Sequence, residues 1–102
     1  MRKVAVLMHG VRAGQLAEME KNHYRFTYES DYAGEPVSLT MPIKKKIYDY
    51  YEFPPFFDGL LPEGAQLSAL LRLSKLDQKD YLGQLIQIGE DLVGAVTIEE
   101  IV

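Results

Sequence analysis

Three features predict an α+β fold in which a small, mainly antiparallel sheet of about five strands carries two helices. The first half of the chain is dominated by short apolar runs, several of them strictly alternating. Near residue 53 the pattern changes, and apolar residues recur with helical spacing. Close to the C-terminus a last apolar run returns to strand character. That order of strands, helices and strand brings the final strand back to the sheet of the first half.

Val4 to Met8 is nearly continuous in apolar residues, as in a strand covered on both faces. His9-Gly10 interrupts it, and Val11 to Met19 reads as its partner, with Gly14 marking a turn or bulge. From His23 to Glu29 the alternation is clean, with Tyr24, Phe26 and Tyr28 on one face and Arg25, Thr27 and Glu29 on the other. Asp31 to Pro36 is turn chemistry around Gly34. Val37, Leu39, Met41 and Ile43 alternate with Ser38, Thr40 and Pro42, which predicts a fourth strand with Pro42 at its end or on an edge. Lys44 to Tyr51 reads as loop. Phe53 to Gly59 is expected to form no regular element, because Pro54-Pro55 and Gly59 interrupt both helix and strand ladders.

A first helix is expected over Pro62 to Leu73, since proline and Glu63 suit a first turn. Leu67, Leu70, Leu71 and Ser74 form its stripe. Asp77 is the expected N-cap of a second helix over Gln78 to Ile88, with Tyr81, Leu82, Leu85 and Ile86 as its stripe and Gly89 as a left-handed C-cap. Val93 to Ile98 closes the sheet.

A chain of 102 residues is expected to form a single domain over residues 1–102. Its 47% apolar and 25% charged residues are ordinary for a globular protein. The absence of cysteine removes disulfides, thiolate metal ligands and thiol nucleophiles, and points to a reducing cytoplasm. The apolar run Val4 to Met8 is shorter than the roughly 7–15 residues of a signal-peptide core, and no stretch approaches the roughly 18 apolar residues of a membrane span. No membrane partner is expected. Eleven basic and fifteen acidic residues leave a formal charge of −4, which repels phosphate backbones. Lys44-Lys45-Lys46 followed by Tyr48, Tyr50, Tyr51 and Phe53 could stack single-stranded nucleic acid, but in an acidic chain a solvated lysine face beside inward aromatics is the favoured reading. Direct nucleic-acid binding is therefore not expected.

Catalytic patterns are missing from the sequence. His9 and His23 are its two imidazoles, sit in separate segments and have no carboxylate at a motif-like spacing; they are expected to be structural or solvated. There is no phosphate-binding glycine loop, kinase signature set or nucleophile elbow. Glu90-Asp91 and Glu99-Glu100 are adjacent acidic pairs, expected to be solvated. No catalytic residue, cofactor or metal site is expected. Twelve residues from Phe53 to Gly64 nonetheless hold three phenylalanines, two leucines and three prolines. Prolines stiffen such a segment and lower the entropy lost on docking, so at least one of its apolar side chains is expected to meet a partner.

Phe56-Phe57-Asp58-Gly59-Leu60-Leu61-Pro62-Glu63-Gly64 resembles the signature of the N-terminal subdomain of HipA-type serine/threonine kinases. Val4 to Met8 with Val11 to Leu16 is similar to that family's opening hairpin, Tyr24 to Tyr28 and Val37 to Pro42 to its next strands, and Leu92-Val93-Gly94-Ala95-Val96 to its Gly-Ala-Val ending. The resemblance implies a curled antiparallel sheet with two packed helices, and it places the family's catalytic machinery in a larger part absent from this sequence. Starting at Met1 and ending just past the Gly-Ala-Val strand, the chain reads as a complete small protein. That would make it similar to the antitoxin subunit of split, three-component systems, in which a HipT-like kinase toxin and a HipB-like DNA-binding protein are its partners. The alternative is the N-terminal regulatory subdomain of a single-chain HipA-like kinase. Partner contacts are expected from Phe53, Phe56, Phe57, Asp58, Leu60, Leu61, Pro62, Glu63 and Ala65. Ala65 has no large side chain, so a wedge from this loop would have to be Phe56, Phe57 or Leu61.

Overall fold

The computed structural model describes residues 1–92 and 94–101, and only the backbone of Glu90. Five antiparallel strands form one sheet: β1 (Lys3–Met8), β2 (Val11–Glu20), β3 (His23–Tyr28), β4 (Ile47–Tyr50) and β5 (Val96–Ile101), in the spatial order β4-β3-β2-β1-β5. Between β4 and β5 the chain forms α1 (Pro55–Asp58), α2 (Gly64–Ser74), α3 (Tyr81–Ile88) and a 3₁₀ turn at Gly89–Asp91. The fold is α+β, as the sequence predicts.

The first hairpin closes over two residues, His9 and Gly10, both at positive φ (51° and 81°), the geometry that matches strand twist. The irregularity expected near Gly14 is a bulge at Ala13: Val6 pairs with Gly14 and Leu7 with Arg12. On the core face Val4, Val6, Leu16, Phe26, Tyr28, Val96 and Ile98 are buried, and Phe57, Leu82 and Leu85 close over them. The opposite face carries Gln15, Arg25, Thr27, Asp49, Thr97 and Glu99, half-exposed or exposed.

Where the elements differ from expectation, a local interaction explains the difference. Val37 to Ile43 is not a strand but a run of bends and turns. The Tyr28 hydroxyl donates to the Met41 carbonyl and accepts from the Val37 amide at 3.1 Å, while the Met41 amide turns back to the Ser38 carbonyl at 3.0 Å. Val37 and Met41 are thereby buried and Leu39 is thrown outward, 95% exposed. The fourth strand is instead β4, inside the segment read as loop; Tyr48 and Tyr50 share the core-facing side with their partners Phe26 and Tyr24. The double proline does not prevent regular structure either: Pro54 is the N-cap of α1 and Pro55 its first residue, where no amide is needed.

The later boundaries shift as well. Helix α2 begins at Gly64, two residues after Pro62, with Gly64 at φ +58°. The N-cap of α3 is Asp80, accepting from the Gly83 amide at 3.1 Å; Asp77 instead accepts from the Lys79 amide at 2.7 Å in the preceding turn. Gly89 is right-handed (φ −53°) and is no left-handed cap. A Cβ there would lie 2.5 Å from the Ile98 carbonyl oxygen, so it is close packing that requires glycine. Val93, the expected start of the last strand, falls outside the described residues, as does the side chain of Glu90; β5 runs from Val96, with Glu99 and Glu100 exposed.

Candidate docking site

The proline- and phenylalanine-rich segment is ordered by its own backbone. Amides of Asp58 and Gly59 donate to the carbonyls of Pro54 (2.9 Å) and Pro55 (3.0 Å), and those of Leu60 and Leu61 to Phe57 and Asp58 (both 3.1 Å). Two side chains anchor it inward. Phe57 is completely buried, its ring 5.9 Å from that of Phe26, and Phe53 meets Tyr24 edge-on at 5.2 Å and Tyr81 at 5.6 Å. Phe53 and Phe57 thus anchor the loop to the core, Phe57 with no exposed surface and Phe53 at the core's edge, where it also lines clefts beside Tyr81. The remaining expected contacts fall on one side of that division. Phe56, Leu60, Leu61 and Pro62 are half-exposed, and Asp58, Glu63 and Ala65 are exposed. Of the three residues large enough to wedge into a partner, Phe57 is buried in this structure, whereas Phe56 and Leu61 are half-exposed.

Helix α2 extends this surface. None of its eleven residues is buried: Leu67, Leu70 and Leu71 are half-exposed, and Leu73 is 81% exposed. In an isolated domain an eleven-residue helix is normally held by a buried apolar stripe. Here the stripe is left half-exposed, and its first member, Leu67, lines one cleft together with Leu61 and Pro62 of the loop. That cleft, of about 310 Å³, lies between the loop and α3.

The scaffold beneath is tied together by Arg2. Its guanidinium reaches both oxygens of Asp80 (2.8 and 3.2 Å) and both of Glu18 (3.1 and 3.2 Å), linking the start of β1 and β2 to the N-cap of α3. The hydrogen bond from Arg2 holds the Asp80 carboxyl below its usual range, against the opposing effect of partial burial. Burial raises the phenols of Tyr24 and Tyr28.

Neither histidine joins this site. His9 is in the first hairpin turn, 4.0 Å from Glu35. His23 stacks on Tyr51 with ring centroids 4.7 Å apart, and its Nε2 lies 2.9 Å from Asp49 Oδ1, an atom Arg25 also holds at 2.8 Å. That carboxylate was invisible to spacing arguments because strand pairing supplies it from 26 residues away. Arg25 first, and then His23, lowers the Asp49 carboxyl, so the cluster is an ion-pair network on the open sheet face. Among the described residues no group of three or more His, Asp or Glu side chains could hold a metal ion, and no helix is long and apolar enough to cross a membrane.

Sequence reasoning missed Gln84, Lys79 and the cleft they line with Asp58, Leu61 and Glu63. A signal was present: Gln84 is a polar residue at a core-facing position of the α3 repeat, between Tyr81 and Leu85.

Comparison with known proteins agrees with this architecture. The family model described as the HipA N-terminal domain matches residues 4–99. An uncharacterized protein of Haemophilus influenzae is 32% identical over 99 residues, which cover 97% of this chain and 92% of that protein. A solved structure titled the N-terminal domain of HipA toxin superposes with a TM-score of 0.79 at 25% identity, covering 100% of this chain and 94% of that one.

Proposed function

The chain belongs to the HipA N-terminal domain family, and on that premise we propose that it is a non-catalytic, HipS-like antitoxin subunit. It docks on a HipT-like serine/threonine kinase toxin in the cytoplasm and neutralises it within a three-component toxin–antitoxin system. A HipB-like protein supplies the DNA contacts of the larger complex. The matched family domain is not the kinase domain, so its members' chemistry resides elsewhere.

One observation carries the reading. The segment most like the family signature holds its loop with Phe53 and Phe57 while presenting Phe56, Leu60, Leu61 and Pro62, followed by an eleven-residue helix that has no buried side chain. A stable docking buries at least about 1,000 Å² in total and is dominated by a few apolar anchors. The presented loop and α2 together supply an apolar, preordered surface of that kind. Asp58, Glu63 and Ala65 lie on the same surface and are assigned to its rim. With alanine at position 65, inhibition is assigned to Phe56 and Leu61 or to the position in which the whole domain holds the kinase. The relative from Haemophilus influenzae supports a separate subunit, because 92% of it is accounted for by this domain, leaving no room for a kinase body.

The solved structure titled the N-terminal domain of HipA toxin favours a second reading, in which the domain regulates a HipA-like kinase of the same chain. Co-expression separates the two. If the chain restores growth when supplied in trans to a kinase that lacks this domain, the antitoxin reading holds. If rescue requires covalent fusion, the second reading holds.

A further inference from the structure

We propose that the cleft between the loop and α3 is a receptor for a single arginine side chain of the docked partner, an assignment that rests on the docking reading and makes it chemically specific. Among its lining residues is Gln84, only 2% exposed. The Gln84 side-chain nitrogen donates to the carbonyls of Gln78 at 2.9 Å and Asp77 at 3.5 Å, which fixes the amide plane and leaves Oε1 as its acceptor. Both side-chain hydrogen bonds of Gln84 among the described residues come from its nitrogen, and no fully buried side-chain nitrogen or oxygen there lacks a partner, so Oε1 is open to solvent. Gln84 lines the cleft, and Oε1 is the side-chain atom left free to accept a hydrogen bond. An accessible acceptor on a fixed, otherwise buried side chain can be served by an N–H donor that enters the cleft in place of water.

The rim selects the charge of that donor. Asp58 and Glu63 are both exposed, and neither is in an ion pair among the described residues; Lys79 is the one opposing charge on the lining. Leu61, Leu67 and Tyr81 provide apolar walls. Anions and metal ions fit poorly: two carboxylates repel the first, and the cleft lacks a ligand cluster for the second. A guanidinium has five donors in a plane, no acceptor and a three-methylene stem, so it can serve Oε1 and a carboxylate together while its stem covers the leucines. An ammonium is a compact, strongly hydrated point charge and matches separated acceptors less well. At about 310 Å³ the cleft is at the lower limit of the roughly 300–1,000 Å³ of small-molecule pockets, the size for one long side chain.

The test is NMR titration of the isotope-labelled 102-residue chain with N-acetyl-arginine amide, with the lysine and norleucine analogues as controls. Titration to about 20 mM saturates even a contact of millimolar strength. Saturable shifts of the Gln84 side-chain amide and the Leu61 and Leu67 methyls are expected with the arginine probe. The paired exposed substitutions Asp58→Asn and Glu63→Gln should weaken it about tenfold without altering the rest of the spectrum. Equal shifts with norleucine, undiminished binding by the neutral variant, or no shift at Gln84 would overturn the assignment. Kinase co-purification run in parallel separates the failures: a silent cleft with intact kinase binding removes the arginine site alone, whereas loss of kinase binding by the unaltered chain removes the docking reading.

Discussion

Replacing Phe57 and Phe56 separately by alanine should produce opposite outcomes, although the two are adjacent and chemically identical. Phe57 is fully buried, tilted against Phe26 at 5.9 Å and edge-on to Phe56 at 5.1 Å. Truncating such a ring leaves a cavity and costs about 3–5 kcal/mol. For a chain of 102 residues that corresponds to a fall in Tm of roughly 12–20 °C at about 4 °C per kcal/mol. Phe56 is half-exposed, and its loss removes part of one aromatic pair and a modest apolar area, about 1–2 kcal/mol, or roughly 4–8 °C. Thermal unfolding followed by circular dichroism reads both, and titration calorimetry against the kinase at 20 °C reads binding. Phe56→Ala is expected to remain folded and bind at least about tenfold more weakly. A Phe57→Ala variant whose Tm falls by less than about 4 °C would refute the inward anchoring of the loop, because no ring that well packed is removed at so small a cost.

Three further outcomes follow from the scaffold. Tyr28→Phe removes the hydroxyl that serves both the Met41 carbonyl and the Val37 amide in a buried position, and should destabilise by about 2–3 kcal/mol in urea unfolding. Gly89→Ala forces a Cβ within 2.5 Å of the Ile98 carbonyl oxygen and should lower stability by about 2 kcal/mol or more, read as a shift in the urea midpoint. Asp80 has its folded carboxyl pKa depressed by Arg2, so this pair stabilises above the unfolded carboxylate value of about 4, and the stabilisation is lost as pH falls through the folded value. Arg2→Gln should therefore lower Tm at pH 7 but converge with the unaltered protein in acid, as a pH series of melts would show.

Strand β3 was legible because it presents its core face at strict two-residue spacing, β1 and β2 because their apolar runs are broken by the His9-Gly10 turn, and α2 and α3 because their apolar residues recur at three and four. The exchange of Val37–Ile43 for β4 shows the limit of periodicity. Both stretches alternate, and what decides between them is a hydroxyl in β3, Tyr28, that captures the backbone of the first at Val37 and Met41. No local pattern encodes that long-range hydrogen bond. Gly89 misled for a related reason: a glycine after a helical stripe suggests a left-handed cap, whereas here it makes room for the β5 backbone. In the candidate site, composition pointed to the segment, but only packing separates the anchoring Phe53 and Phe57 from the presented Phe56 and Leu61. The orientation of Gln84 depends on which carbonyls its amide meets, and those come from the turn before α3.

Calorimetric titration of the purified 102-residue chain into a HipT-like kinase lacking this domain tests the docking surface most directly. Saturable binding at about micromolar strength or tighter is expected, with loss of kinase activity and with both effects weakened by combined Phe56→Ala and Leu61→Ala substitution in a chain that still unfolds cooperatively. No heat of binding and an undisturbed kinase, or full binding by the doubly substituted chain, would contradict a function carried by the loop and α2.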